Sequence, residues 1–468
     1  MPRTKRGGYV DRSLVRKVLY PAYRALKRDS VLTRLAEMRR VQAMEPDAIR
    51  EYQWEKLRTI LTYAAKHVPY YRDMFDRLGA APEDIKCETD LGRLPIVRKR
   101  DIRANPEAFV SDCYPGKHLT QNSTGGSTGE NLYFRVGREA REAGSANAVR
   151  MNEWIDISIG DKVAMLWGTA FDVKRTRRLT NALKIWLSNQ IILSAYSMDE
   201  SSMEEYVRRL DRFKPDLVAG YPSAMAHFAQ AITGAGAEVH RPKAVVLSGE
   251  TLFQWQREAI ETAFRAPVYN HYGCREFGAV ARECKSRHGL HIACERLLLE
   301  VQPSDLAGED PNAGEIIITD LDSFGMPFIR YAIEDLGSIT WDKCGCGLGL
   351  PRLVTTIGRT FDVVRAPNGN ALGGTFWTIL LRSRKGIERF QVIQEELAKI
   401  TVAITPTTEF SDETRQYILN KVREACGPEM RVRFELKPHL ESTPTGKHRF
   451  VISRLSTGHA GGEDDSQA

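Results

Sequence analysis

Between residues 162 and 264 the chain repeats one plan: a short apolar run, a turn, then an amphipathic stretch. Lys162–Gly168 and Ile191–Ala195 read as strands. Asp216–Gly220 reads as a strand that opens, through Tyr221, Pro222 and Ser223, into a helical pattern marked by Met225, Phe228, Ala229 and Ile232. Ala244–Gly249 repeats it ahead of a helix through Trp255, Ala259, Ile260 and Phe264. Strand, turn and helix in succession predict a parallel sheet with covering helices. Ligands of such sheets gather beyond the carboxyl ends of the strands. The turns Gly220–Ser223 and Ser248–Glu250 fall there.

The texture then changes. Gly314–Asp320 and Phe328–Ile333 read as strands of an antiparallel layer, and Ile357–Asp362 leads out of it. Phe390–Gln394, Leu397–Ile404 and Val432–Leu436 are strand-like, with a helix over Glu413–Glu424 before the last, a small α+β unit of roughly 100 residues. The expected architecture is therefore α/β: a large multi-layer domain over 46–360 and a small α+β domain over 361–455. A leader (1–45) precedes them and a disordered tail (456–468) follows. With 468 residues, 42% of them hydrophobic and 27% charged, the chain can fill more than one core.

Asn122–Glu130 combines three glycines with Ser123, Thr124, Ser127 and Thr128. Glycine lets successive peptide N–H groups turn inward, and the hydroxyls add donors around the same hollow, so Ser123–Gly129 is a candidate polyphosphate nest. A flexible surface turn is the other reading. The common nucleotide loop ends in Gly-Lys-Ser/Thr, whereas Glu130 follows Gly129 here.

The net charge of +7 is unevenly spread. Residues 1–40 hold 12 Lys and Arg against 3 acids, leaving 55 against 57 for the remainder. A nucleic-acid-binding body would carry basic charge through its fold, so that class is excluded. In the leader, Val15, Val18, Leu19, Ala22, Tyr23 and Leu26 recur at helical spacing among Arg16, Lys17, Arg24, Lys27 and Arg28. Such a basic amphipathic helix over 12–28 either packs on its own domain or lies on an anionic membrane surface. No window approaches the ~20 apolar residues of a spanning helix, and no signal-peptide core is visible, so a cytoplasmic location is expected. A homodimer is left open.

Eight cysteines in so long a chain do not form a disulfide scaffold. Cys344 and Cys346 sit one residue apart between glycines, and with Cys284 and His291 they make up the Cys3His ligand mix of a closed tetrahedral zinc site. Cys294 is an alternate ligand, and a glycine-rich turn with free thiols is the plain alternative.

Five separated segments resemble one superfamily. Thr124–Gly129, Tyr272–Glu276, Arg330–Asp335, Gly358–Asp362 and Thr443–Arg449 occur in the order and spacing of the adenylate-forming enzymes. The resemblance is closest to the phenylacetate-CoA ligase family and its CapK-like, capsule-biosynthesis-associated branch, to which His67–Arg72 and Gly289–His291 are similar in particular. It covers about residues 50–453.

The resemblance implies ATP-dependent activation of a carboxylic acid to an acyl-adenylate, then thioester formation with coenzyme A. It implies that Ser123, Thr124, Gly125, Gly126, Ser127, Thr128 and Gly129 hold phosphates, and that Glu276 holds Mg²⁺. Ser248, Gly249, Glu250, Tyr272 and Gly273 would line the nucleotide, with Asp335 and Arg359 at the ribose. Lys447, on a mobile small domain pivoting at Asp362, would neutralise the reacting oxygens. Trp167, Phe171, Tyr221, Ser248 and Tyr272 would form an acyl pocket suited to a small aryl or medium apolar acid, and Cys284, His291, Cys344 and Cys346 a structural zinc site. Glu130 and Arg275 depart from the family pattern. They keep in view transfer of the acyl group to an amine or hydroxyl acceptor in polysaccharide biosynthesis, without coenzyme A; the basic leader keeps in view a non-catalytic nucleotide-binding or scaffold protein at a membrane face.

Overall fold

The computed structural model describes residues 11–124, 132–167, 189–195, 198, 200–304, 310, 312–359, 363–372, 376–377, 380–381, 384–440 and 450–455. The chain divides into two compact units, one principally of Met1–Pro303 with Asn312–Thr356, the other of Ile357–Ser442 with His448–Ala468.

The first unit is organised by an eleven-stranded sheet with the strand order β10-β11-β12-β13-β9-β8-β7-β6-β5-β3-β4. Its parallel part comprises β3 (Val163–Leu166), β4 (Gln190–Leu193), β5 (Leu217–Gly220), β6 (Ala244–Ser248) and β7 (Val268–Cys274). From β7 onward neighbours turn antiparallel through β8 (Gly278–Glu283), β9 (Leu290–Ile292) and β13 (Arg352–Arg359). The meander β10 (Leu297–Pro303), β11 (Gly314–Asp320) and β12 (Tyr331–Thr340) completes that side. The parallel run and the antiparallel layer are therefore hydrogen-bonded into one sheet, with β7 as the strand where direction changes. A separate two-stranded hairpin joins β1 (Thr120–Ser123) to β2 (Tyr133–Val136).

Local chemistry explains the helices that cover the sheet. Pro222 occupies the first turn of Pro222–Gly234, where a missing N–H costs nothing, and Met225, Ala226, Phe228, Ala229 and Ile232 form its buried stripe. Helix Pro46–His67 likewise opens on proline, and Pro69–Leu78 ends at Gly79 with φ +57°, the left-handed stop that glycine allows. Strands β5 and β6 bury residues on both faces, the signature of a parallel sheet covered on both sides. In the core Arg150 and Glu295 form a fully buried ion pair, with Arg150 over the Trp154 ring at 4.8 Å. Among the described residues no helix is long and apolar enough to cross a membrane.

The second unit holds the small ribbon β14 (Val364–Arg365) and β15 (Ala371–Leu372) and a four-stranded sheet. That sheet runs β18 (Arg431–Leu436), β17 (Lys399–Pro406), β16 (Ile387–Glu396) and β19 (Val451–Ser453). Helix Asp412–Cys426 makes the crossover that lets β18 lie parallel to β17. Ser411 caps it by accepting the Thr414 N–H, and Ile418, Val422 and Cys426 face the sheet residues Phe390, Val392, Val402 and Ile404.

Two strand boundaries differ from the sequence expectation. Phe328–Arg330 lie outside β12, because Arg330 takes φ +48° while its buried guanidinium binds Glu300 at 2.9 Å and the Gly92 carbonyl at 2.9 Å. Leu397 and Ala398 form the β16–β17 turn rather than opening a strand. The expected tail 456–468 lies outside the described residues.

Candidate functional site

Strands β3, β5 and β6 end nearly level with one another, and β7 runs on to Cys274. Leu166 is paired with Gly220, Gly220 with Leu247, and Ser248 with His271. The next residues, Trp167, Tyr221 and Gly249, consequently emerge along one carboxyl-end edge of the first unit, and Tyr272 stands level with them within β7. Close approach there depends on glycine: a Cβ on Gly220 would lie 3.0 Å from the Leu166 carbonyl oxygen and 2.8 Å from the Met225 methyl. Trp167 stacks on Tyr221 with centroids 4.3 Å apart, and Tyr221 is buried. Gly249 adopts φ +86° after β6, and the carboxylate of Glu250 then accepts the Ser223 N–H and hydroxyl, both at 2.9 Å. An anion at the first turn of helix Pro222–Gly234 is favoured by its unpaired N–H groups. The turns after β5 and β6 are thereby locked together.

The β7–β8 turn adds the most concentrated group of polar residues. Tyr272 donates its hydroxyl to Asp335 at 2.6 Å, and Tyr331 donates to Glu276 at 3.1 Å. Both pairs join this turn to β12. Tyr331 is buried, and burial together with the Glu276 charge pushes its phenol far above the ordinary range, so it serves as a donor. The ladder is irregular on both sides of these contacts. β12 pairs Ala332 with Ile317 and then Leu336 with Glu315, so Ile333, Glu334 and Asp335 stand opposite Ile316 alone. Such a bulge re-aims side chains. Glu334 takes φ +67° within it and is held by Lys99 at 2.5 Å. β8 carries an extra residue between Ala279 and Ala281 where it passes Gly273 and Tyr272. A Cβ on Gly273 would meet the Gly278 carbonyl oxygen at 2.5 Å, so that position requires glycine.

The hairpin β1–β2 reaches the same turn. Asn122 donates its side-chain amide to the Arg275 carbonyl at 3.2 Å. Immediately beyond, Thr124 and Leu132 close a neck: the Thr124 N–H donates to the Leu132 carbonyl at 3.0 Å and the Leu132 N–H to the Thr124 hydroxyl at 2.9 Å. The neck that closes the glycine-rich segment thus lies two residues beyond the Asn122 contact with Arg275. Gly125, Gly126, Ser127, Thr128, Gly129, Glu130, Phe171, Asp362 and Lys447 lie outside the described residues. Arg359 closes β13, and its side chain is likewise not described.

Glu276 and Arg275 do not engage each other. Arg275 is exposed, while Glu276 is partly buried against Tyr331. Tyr331 and Asn122 are the contributors that sequence reasoning gave no role, although both stand within segments it singled out. Their signal was position: each neighbours a candidate residue and carries a hydrogen-bonding tip. The thiol of Cys274, beneath the turn, is pushed well up by burial, with Glu276 adding to the effect. That direction disfavours the thiolate, the form in which a cysteine acts as a nucleophile.

A second cluster lies at the far end of β8. The donor atoms of Cys284, His291, Cys344 and Cys346 all fall within 4.8 Å of one another. The Cys284 and Cys344 sulfurs are 3.8 Å apart, and His291 Nε2 is 3.2 Å from the Cys346 sulfur. His291 Nδ1 lies 3.1 Å from the Leu350 carbonyl, a contact that fixes the proton on Nδ1 and leaves the Nε2 lone pair facing the thiols. Cys294, the alternate ligand, is not in this group and packs in the main core.

Residues 366–454 match the CapK C-terminal domain family. The chain is 24% identical over 420 residues to the protein CapK of Staphylococcus aureus, covering 86% of this chain and 89% of the relative. It is 24% identical over 432 residues to a phenylacetate-coenzyme A ligase of Pseudomonas putida, covering 88% and 87%. Among solved structures it resembles a 2-hydroxyisobutyryl-CoA ligase in the postadenylation state in complex with 2-HIB-AMP, with a TM-score of 0.69 at 21% identity over 88% of this chain and 91% of that one. The chain is thus similar over most of its length to CapK and to phenylacetate-coenzyme A ligases, carries a segment that matches the CapK C-terminal domain family, and shares its fold with the solved 2-hydroxyisobutyryl-CoA ligase.

Proposed function

We infer that this protein is an AMP-forming acid–thiol ligase: it converts a carboxylic acid and ATP to an acyl-adenylate and pyrophosphate, then passes the acyl group to coenzyme A with release of AMP. The observation that carries the reading is the meeting, at one carboxyl-end edge, of the neck at Thr124, the Glu276 turn and the Tyr272–Asp335 pair. The names of the homologues and structural neighbours supply the reaction class.

In the first half-reaction a carboxylate oxygen bonds to the α-phosphorus as the bond to pyrophosphate breaks in line. Two anions must approach, so the protein contributes position and positive charge rather than covalent chemistry. The glycine-rich segment, closed at its neck by Thr124, would hold the outer phosphates on peptide N–H groups. Asp335, steadied by Tyr272, would accept hydrogen bonds from the ribose hydroxyls, and Tyr272 would lie against the base. Glu276 is the carboxylate that would hold a Mg²⁺ ion, whose chemistry there would be to supply positive charge against the phosphates. Tyr331 orients that carboxylate. Lys447 would balance the charge on the reacting oxygens, with Asp362 as the pivot of its domain. In the second half-reaction the coenzyme A sulfur bonds to the acyl carbon and AMP departs. The Trp167–Tyr221 stack favours a small aryl or medium apolar acid.

A structural zinc ion fits the second cluster. Two thiolates on a tetrahedral ion with Zn–S of about 2.3 Å stand about 3.8 Å apart, and the Cys284–Cys344 separation is 3.8 Å. The histidine is already oriented through its other nitrogen, as metal-bound imidazoles are.

The decisive experiment is acid-dependent exchange of labelled pyrophosphate into ATP across a panel of carboxylic acids, followed by AMP release with and without coenzyme A. At least one acid should support exchange, and coenzyme A should accelerate AMP release. Absence of exchange with every acid class removes the enzyme reading. Exchange without coenzyme A-dependent turnover replaces the thiol by another acceptor. Lys447→Ala should abolish exchange.

A further inference from the structure

Of the ten exposed large apolar side chains among the described residues, five lie between residues 14 and 32: Leu14, Val18, Tyr23, Leu26 and Leu32. Leu26 is 84% exposed and Val18 52%. The leader is helical through Arg12–Leu14, a π-helical turn Val15–Leu19, and Tyr20–Lys27. Along it Leu14, Val18, Ala22 and Leu26 recur every fourth residue, and all four are exposed.

That stripe is not how the helix holds to the protein. The anchoring side is different: Val15 is buried, Arg12 pairs with Asp216 at 2.9 Å, and Arg16 donates to the Ile159 carbonyl at 3.3 Å. Gly160 permits the contact, since a Cβ there would lie 2.8 Å from the Arg12 carbonyl oxygen. The helix is thus clamped in one orientation with its apolar stripe turned outward. Lys17, Lys27 and Arg28 are exposed beside it, and among the described residues none of the three forms an ion pair. Residues 1–28 hold nine Lys and Arg (positions 3, 5, 6, 12, 16, 17, 24, 27 and 28) against the single acid Asp11.

We propose that the outward face of helix Arg12–Lys27 is a docking surface for an anionic lipid bilayer. Apolar side chains between unpaired cations match a headgroup interface, where the chains enter the acyl boundary and the cations meet lipid phosphates. A second copy of this chain fits less well, because pairing two such faces would oppose two strongly basic segments. The placement is compatible with catalysis. Asp161 and Asp216, which receive Arg12, precede β3 and β5, so the helix sits at the amino ends of strands whose carboxyl ends carry the candidate site.

The test is co-sedimentation of the full chain with phosphatidylcholine vesicles, with and without about 30% phosphatidylglycerol, at low and high salt. The protein should sediment with the anionic vesicles alone and be released by salt. The double variant Val18→Glu/Leu26→Glu and the charge variant Lys17→Glu/Lys27→Glu, all at exposed positions, should keep the wild-type melting temperature and each weaken binding about tenfold or more. The proposal is overturned if wild type stays in the supernatant with anionic vesicles, or if both variants bind as wild type does. It is equally overturned if the face proves to be a self-interface, seen as a dimer that Val18→Glu/Leu26→Glu dissociates while wild type ignores vesicles.

Discussion

The hydroxyl of Tyr272 donates to the carboxylate of Asp335 across 2.6 Å, and each partner sits beside a break in its strand's register. A regular ladder would alternate side chains strictly between faces. The bulges re-aim side chains at both positions, and these two residues, four strands apart in the sheet order, meet.

If Asp335 receives the ribose hydroxyls, Asp335→Ala should raise the KM for ATP in pyrophosphate exchange about tenfold or more, corresponding to loss of one charge-assisted hydrogen-bonded contact. Tyr272→Phe should raise it less, because the carboxylate remains. The melting temperature should change little in either case. An unchanged KM for Asp335→Ala would remove the assignment.

Glu276→Gln keeps the shape and the hydrogen bond from Tyr331 but lowers the charge available to a hard cation. The Mg²⁺ concentration needed for half-maximal exchange should rise about tenfold. Titration of exchange against free Mg²⁺ reads this directly, and coincident curves for variant and wild type would contradict it.

Purified, unstripped protein should carry about one equivalent of zinc by elemental analysis. Cys344→Ser should lower that content and the melting temperature together. Zinc far below stoichiometry in an otherwise folded sample would reduce the cluster to four free side chains.

Burial, with the Arg282 guanidinium second, holds the His271 imidazole well below its ordinary value. Arg282 Nε donates to His271 Nδ1 at 3.0 Å, which occupies the lone pair a proton would need. Because the folded-state value is depressed, this histidine costs no stability above the unfolded value. As pH falls below that value, stability is lost, until the folded-state value is reached, since the unfolded chain gains the proton first. Wild type should therefore lose stability more steeply than His271→Gln between about pH 6.5 and the acid limb, by up to about 1.4 kcal/mol per pH unit. Chemical denaturation at a series of pH values measures the difference; parallel slopes would refute it.

Glu295→Gln leaves the fully buried Arg150 without its counter-charge and should destabilise the fold by about 3–5 kcal/mol, read from the denaturation midpoint. A shift within error would mean that the pair is not desolvated.

The βα repeats were legible because their periodicity is local: β3, β5, β6 and the helices Pro222–Gly234 and Gln254–Phe264 all stand where the apolar runs put them. The start of β12 was not legible, since the left-handed turn at Arg330 answers to Glu300 and the Gly92 carbonyl, partners remote in sequence. The same limit applies to the site. Tyr272, Glu276 and Asp335 could be named from their segments, but Tyr331 as the donor to Glu276 could not, because that contact exists only once β12 lies against the β7–β8 turn. Cys284, His291, Cys344 and Cys346 could be grouped by ligand chemistry alone, whereas dismissing Cys294 needed its place in the core. In the leader, helical spacing was plain, but which apolar residues faced inward was not: Val15 is buried and Leu26 stands out.

Strand β8 is six residues long, with Glu276 two positions before it and Cys284 directly after. One short ribbon therefore tethers the proposed magnesium carboxylate to the proposed zinc cage. Occupancy of the proposed cage would thus bear on how firmly one end of a six-residue strand is held, with the proposed nucleotide end at the other.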